Sequence, residues 1–273
     1  MSDRRRTALI TGASSGIGRS YALQLAQKGT HDLLLVARRM DRLLEVQDAI
    51  RQGVTNADRE TPFSVATFQA DLTEPDQLSA LLAHVAQEDI EVDLLVNAAG
   101  FGTLGEFGQV DVEREAVMVA LNCTVPLRLI RSVLGPMEQR GRGVIINISS
   151  IGAFQPAPYM AAYAASKAFV LHFSLALAEE VVDKGIHVLT HCPGPTTTEF
   201  HLVAGLPEDM SPIPAMSPDA AVREALRALE RRKRLIVNGR INRWLVRLGR
   251  LMSLQRSAKV AKNMIRSRWS PDG

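Results

Sequence analysis

The chain has 273 residues, 46% of them hydrophobic and 22% charged, a balance that describes a globular protein of one large domain or two small ones and excludes a disordered chain. Its formal net charge of +3 hides an asymmetry: residues 231–273 hold 13 Lys or Arg against one acid, Asp272, so a tail of +12 follows a body of −9. The cysteines Cys123 and Cys192 form no C-x-x-C pair and the six histidines lack a metal-ligand pattern, so a metal-free protein from a reducing compartment is expected.

Arg4, Arg5 and Arg6 precede only a short apolar run, without the apolar region or cleavage site of a signal peptide. No stretch approaches the ~20 apolar residues of a membrane span. A cytoplasmic protein that does not cross a bilayer is expected.

Thr7 to Thr11 is a short apolar run ending in Gly12-Ala13-Ser14-Ser15-Gly16-Ile17-Gly18, followed by helix-patterned residues to about Lys28. This predicts strand, glycine turn and helix. Further strands are predicted near Asp32 to Ala37, Phe63 to Ala70, Val92 to Asn97, Val144 to Ser149, His187 to Cys192 and Leu235 to Val237, with helical patterns between them. Runs such as Leu33-Leu34-Leu35-Val36 are apolar without interruption, as strands buried on both faces must be. The expected fold is α/β, a doubly wound parallel sheet of seven strands. His187 and His191 fall within one strand, where four residues span about 13 Å. The Pro-rich stretch from Pro193 to Pro218 is expected to be a loop or lid beside the strand ends. No linker or repeat interrupts residues 1–238, so residues 1–239 are expected to form one dinucleotide-binding and catalytic domain, with 240–273 as a C-terminal extension.

A strand–turn–helix unit with glycines at its turn lets a pyrophosphate approach the backbone, while the helix N-terminus offers free N–H groups and partial positive charge. Gly12, Gly16 and Gly18 fit those roles, although the spacing is G-x-x-x-G-x-G and not the commoner G-x-G-x-x-G. After the second strand the sequence reads Val36-Ala37-Arg38-Arg39. An acid there would bind the ribose 2′-hydroxyl of NAD, whereas arginine suits a 2′-phosphate, so NADP(H) is predicted, with Arg38 the main phosphate contact and Arg39 a second.

Tyr163 and Lys167 stand four residues apart in a helical segment, so phenol and ammonium project from one face. A free phenol titrates near roughly pH 10, and a neighbouring cation would favour its ionised form. Ser150 lies thirteen positions upstream of the tyrosine, behind an apolar strand. Tyr-x-x-x-Lys alone is common by chance, and the rest of the chain has to decide.

Together these residues resemble the short-chain dehydrogenase/reductase family, whose signatures are T-G-x-x-x-G-x-G and Tyr-x-x-x-Lys. Thr11 to Gly18 matches the glycine motif, with Ser14, Ser15 and Ile17 inside it. Asp71 and Leu72 after the third strand resemble the adenine contact, and Asn97-Ala98-Ala99-Gly100 resembles N-N-A-G. Asn122, Ser150, Tyr163 and Lys167 match the catalytic tetrad; Pro193, Gly194, Thr196 and Thr198 match the segment beside the nicotinamide. The resemblance covers about residues 5–238. Ala98 and Thr196 depart from the usual Asn and aliphatic residue.

The resemblance implies a single Rossmann domain in a homo-oligomer that interconverts a carbonyl and a secondary alcohol. Tyr163 would be the acid, and the base in reverse. Lys167 would lower the tyrosine's pKa and hold the nicotinamide ribose, Ser150 would bond the substrate oxygen, and Asn122 would position a water linking Lys167 to solvent. Ser149 competes with Ser150, which is preferred for its family spacing. Phe101, Phe154, Met160, Leu202, Leu206 and Met210 are expected near the cleft or lid and suggest an apolar substrate. Two alternatives remain: a 3-oxoacyl-thioester reductase, and a non-catalytic NADP-binding sensor or scaffold.

In the tail, Arg240, Arg243, Arg247 and Arg250 recur at helical spacing opposite Ile241, Trp244, Leu245, Leu248 and Met252, a basic amphipathic helix; a second helix is predicted from about Ser257 to Arg268. Packing on the body or a second subunit, contact with a membrane surface, and docking of an acidic carrier protein are all compatible with it. No nucleic-acid reading motif is present, so nucleic-acid binding is not expected.

Overall fold

The computed structural model describes residues 6–53, 63–206 and 213–269. Seven strands, β1 (Thr7–Thr11), β2 (Asp32–Ala37), β3 (Val65–Gln69), β4 (Val92–Asn97), β5 (Gly143–Ile148), β6 (Ile186–Cys192) and β7 (Leu235–Val237), form one parallel sheet in the order β3-β2-β1-β4-β5-β6-β7. The chain reverses its winding between β1 and β4. At that switch point neighbouring crossovers leave on opposite faces and open a crevice at the strands' C-terminal ends.

The uninterrupted apolar strands follow from burial on both faces. Ala8, Ile10, Leu33, Leu35, Leu94 and Val96 point to one core. There they meet helix α1 (Gly16–Lys28) through Tyr21 and Leu25, and helix α2 (Met40–Gly53) through Leu43 and Ile50. Their alternates Leu9, Leu34, Val36 and Leu95 point to the other. That side is covered by helix α3 (Pro75–Gln87) and by a continuous helical run, α4 (Val112–Val119), a π-turn (Ala120–Thr124) and α5 (Val125–Arg140). Helix α6 (Ala161–Val181) lies on the same side. Burial of one such Leu or Ile contributes about 1.5–3 kcal/mol, which is why the period-two pattern of each strand is doubled instead of alternating with polar residues.

Two helical runs, Val112–Arg140 and Ala161–Lys184, are long and apolar enough to cross a bilayer, although the sequence reading finds no such stretch. Leu129, Val133 and Met137 in the first and Leu177 and Val181 in the second are buried against the sheet. Their apolar length serves as a cover for five parallel strands.

The Pro-rich region is not loop alone. It contains a short helix, α7 (Phe200–Ala204), followed after residues 207–212 by α8 (Pro218–Glu230), which Ser217 caps by accepting from the Ala220 N–H at 3.2 Å. The tail forms α9 (Arg240–Gly249) and α10 (Leu254–Arg266). The second starts three residues before the sequence pattern suggests, because the Ser253 side chain accepts from the Arg256 N–H and caps it.

Neither strand histidine is left to a metal. His187 Nε2 lies 3.1 Å from the Lys233 carbonyl oxygen. His191 is fully buried, its Nδ1 3.0 Å from the Tyr21 hydroxyl and its Nε2 2.5 Å from Asn238 Oδ1, so it ties α1, β6 and the end of β7 together. Burial pushes its pKa down to about 4, against the hydrogen bond that its Nε2 donates to Asn238. The unfolded imidazole, near 6.5, binds a proton that the folded one refuses, so this site's stabilisation is complete above about pH 6.5 and is lost as pH falls toward about 4. Urea midpoints should fall over that window, by an equivalent of roughly 3 kcal/mol, and His191→Gln should flatten the slope; equal slopes would contradict this.

Candidate active site

The turn between β1 and α1 is shaped by what a side chain would strike. A Cβ on Gly18 would come 2.3 Å from the Gly12 carbonyl oxygen, and one on Gly12, whose φ is +66°, would come 2.8 Å from the Ala99 backbone. Only glycine allows these approaches. Thr11 Oγ1 accepts from the N–H groups of Ala98 and Ala99, both at 3.1 Å, which locks the ends of β1 and β4 together. Helix α1 has no acid in its first turn and Ser15 makes no side-chain cap, so its leading N–H groups are available to an anion.

Ser14, Ser15, Gly16, Ile17 and Gly18 line a cleft at the strand ends. Arg38, Arg39, Asp71, Leu72, Ala98 and Gly100 line it too, as do Ser150, Tyr163, Lys167, Pro193, Gly194, Thr196 and Thr198. Asn97 does not: its Nδ2 donates to Asn147 Oδ1 at 2.8 Å inside the sheet, and Asn147 in turn donates to Ser174 Oγ. Asn122 sits behind the floor in the π-turn, donating from Nδ2 to the Phe101 carbonyl at 3.1 Å and to Ser166 Oγ at 3.0 Å. Its Oδ1 is buried without a hydrogen-bond partner among the described residues. A Cβ on Gly100 would lie 2.6 Å from that oxygen and 3.4 Å from Lys167 Nζ, so Asn122 and Lys167 converge on the same point of backbone.

The serine ambiguity resolves geometrically. Ser149 Oγ is buried and donates to the Lys167 carbonyl at 2.7 Å, holding α6 against β5. Ser150 hydrogen-bonds the Tyr163 phenol and accepts from the Gly152 N–H at 3.0 Å. Lys167 Nζ donates to the Ile148 carbonyl at 3.1 Å and lies 5.9 Å from the Tyr163 ring centre.

The electrostatics differ from the sequence expectation that Lys167 acidifies Tyr163. Burial pushes the phenol up to about 12, with the Ser150 hydrogen bond pulling the other way, and burial pulls Lys167 down to about 8. Desolvation favours the uncharged form of each group, and it is the largest influence on both.

At the end of the cleft beside β3, Asp71 is oriented by Thr73, whose N–H and hydroxyl both donate to its Oδ1, and Arg38 reaches it at 3.5 Å. Burial raises the Asp71 carboxyl, but the Thr73 hydrogen bonds and the Arg38 charge together hold it below its ordinary value. Arg39 donates to Glu199 at 2.7 Å and to Ser14 Oγ at 3.4 Å, spanning the cleft. The hydrogen bond from Arg39 lowers the Glu199 pKa. Sequence reasoning missed Glu199; its one signal is an acid placed directly after the Thr198 of the nicotinamide segment.

The apolar part of the cleft is lined by Phe101, Ile151, Met160, Phe200, Val203 and Leu206. Phe200 leans on the Tyr163 ring at 5.3 Å, and Arg114 fastens α7 by donating to the Val203 carbonyl at 2.5 Å. Two expected lining residues lie elsewhere. Phe154 packs against the small core of Ala153, Leu171, Cys192 and Val237 under the Arg250 guanidinium, and Leu202 projects into solvent. Met210 lies outside the described residues.

Residues 6–205 match the model of a family described as short chain dehydrogenase. The chain is 34% identical over 183 residues to a very-long-chain 3-oxoacyl-CoA reductase of Coccidioides immitis, covering 66% of this chain and 50% of that one. It is likewise 34% identical over 196 residues to mouse 17-beta-hydroxysteroid dehydrogenase type 3, covering 68% and 58%. The chain thus spans about half the length of the reductases it matches. Among solved structures, a short-chain dehydrogenase from Sphingobium yanoikuyae in complex with NADPH superposes with a TM-score of 0.79 at 36% identity, covering 92% of this chain and 95% of that one. A bulky-bulky ketone specific alcohol dehydrogenase from Comamonas testosteroni gives 0.72 at 32%, covering 98% and 96%.

Proposed function

The chain belongs to the short chain dehydrogenase family, and from that premise we propose that it is an NADPH-dependent oxidoreductase interconverting a carbonyl and a secondary alcohol on an apolar substrate. The observation that carries this reading is the convergence of Ser150, Tyr163 and Lys167 beneath an apolar cleft that continues into the glycine turn.

The cradle around Gly12 and Gly18, with the uncapped start of α1, fits a pyrophosphate, and Arg38 fits a 2′-phosphate. Asp71 and Leu72 would flank the adenine, and Pro193, Gly194, Thr196 and Thr198 would flank the nicotinamide. Bound NADPH supplies the hydride that reduces the carbonyl carbon. Tyr163 gives its proton to the carbonyl oxygen; a phenol pushed up to about 12 stays protonated at neutral pH and is ready as an acid. Ser150 steadies the oxygen as charge develops there. Lys167, at about 8, is a stronger acid than the phenol and restores its proton. Asn122, packed beside Lys167 behind Gly100, holds that ammonium's surroundings in place.

The lining by Phe101, Met160, Phe200 and Leu206 supports a bulky apolar carbonyl, in line with what the Comamonas relative is specific for. A second reading, a 3-oxoacyl-thioester reductase, is favoured by the similarity to very-long-chain 3-oxoacyl-CoA reductases. We also read the protein as a homo-oligomer: Val117 and Phe169 on α4 and α6 are exposed apolar residues such a contact would cover.

NADPH consumption on a panel of bulky ketones and 3-oxoacyl thioesters tests the activity. Tyr163→Phe should lower kcat by about 10²–10⁴-fold with NADPH binding intact; binding without turnover of any substrate by the wild type would favour the non-catalytic sensor. Arg38→Glu should reverse the preference between NADP and NAD by about tenfold or more, and an unchanged preference would remove Arg38 from the phosphate site.

A further inference from the structure

Helix α9 is seated on the body through a polar residue. Asn242 is 7% exposed: its Nδ2 donates to the Asn238 carbonyl at 2.9 Å and touches Gly194, where a Cβ would come within 2.1 Å of it. The large apolar residues face out: Trp244 is 62% exposed, Leu251 84% and Leu254 69%, with Ile241, Leu245 and Leu248 also exposed. Spacings of three and four put 241, 244, 245 and 248 on one side of the helix, and the exposed Leu251 and Leu254 follow in the turn and at the start of α10. Helix α10 repeats the inversion, burying Ser257 and Ala261 and exposing Val260 and Met264. A cluster of this size on a free surface marks a contact.

The charge around it is of one sign. Arg240, Arg247, Arg256, Lys259, Lys262 and Arg266 are all exposed, and residues 240–269 contain no Asp or Glu. We propose that α9 and α10 form a docking surface for an anionic phospholipid bilayer, with Trp244, Leu251 and Leu254 entering the boundary between headgroups and acyl chains and the arginines and lysines meeting lipid phosphates. A symmetric contact with a second copy through the same patch would set two such cationic arrays against each other. An acidic carrier protein would need the arginines but not a leucine left 84% free.

The surface adjoins the cleft. Val246 and Ile151, which lines the cleft directly after Ser150, pack against the same small core of Ala153, Leu171, Cys192 and Val237, and the Trp269 ring lies 5.3 Å from that of Tyr159, the residue before the cleft-lining Met160. Resting on the reductase reading, this places the apolar entrance beside a reservoir of apolar substrate.

Co-sedimentation of the full-length protein with vesicles of phosphatidylcholine, alone or mixed with phosphatidylglycerol, tests the docking. Partitioning should rise about tenfold or more with the anionic lipid and fall with added salt. The triple variant Trp244→Ser, Leu251→Ser, Leu254→Ser should lose about tenfold or more of it while keeping its melting temperature and its rate on a water-soluble ketone. Three results would overturn the proposal: no retention on either vesicle, equal retention of variant and wild type, or a wild-type dimer in solution that the triple variant dissolves. Retention by a protein that reduces no ketone would support the docking and count only against the activity reading.

Discussion

The constraint on which the site depends is the packing of β5, α6 and the Gly100 backbone around Lys167 and Tyr163. Lys167 is buried there and Tyr163 half-buried at the cleft wall, and desolvation moves the phenol up and the ammonium down, leaving the lysine the stronger acid of the two. The surrounding residues narrow that space. Phe200 covers the tyrosine ring, Asn122 presses against Gly100, and Ser149 pins the Lys167 carbonyl to the strand end. The parallel sheet matters because it delivers β1, β4, β5 and β6 to one edge, where their C-terminal ends can share these contacts.

Much of this was legible in the sequence. The strands inside the sheet are visible because both faces are buried and the apolar runs are continuous, whereas edge strand β3 has no buried residue; β7 is found even at three residues because Leu235, Ile236 and Val237 follow the strongly basic turn 231–234. The glycine turn is visible because Gly12 and Gly18 answer to backbone contacts within their own strand–turn–helix unit. Ser150, Tyr163 and Lys167 could be found by spacing, since Ser150 lies two residues beyond the end of β5 and the other two stand one turn apart on α6.

What was not legible depends on long-range packing. The Arg39–Glu199 pair joins residues 160 positions apart, and α7 owes its place to Arg114 from another helix. Asn97 looked like a cleft residue by motif, yet strand pleating turns its side chain to Asn147. The opposing pKa displacements also escape a spacing argument, because four residues on a helix fix a direction and not the depth of burial. Helix α9 inverts a usual inference: an amphipathic pattern suggests an apolar face turned inward, but the polar partners at Asn238 and the bare Gly194 backbone draw Asn242 in instead.

The central claim, that a buried lysine supplies the proton that the half-buried tyrosine delivers, is tested most directly by the pH dependence of kcat/KM for NADPH-driven ketone reduction. In the wild type the rate should fall as pH rises through about 8, where Lys167 loses its proton, and in Lys167→Arg that inflection should disappear. A wild-type profile with no inflection near pH 8, or one that Lys167→Arg leaves in place, would contradict the account.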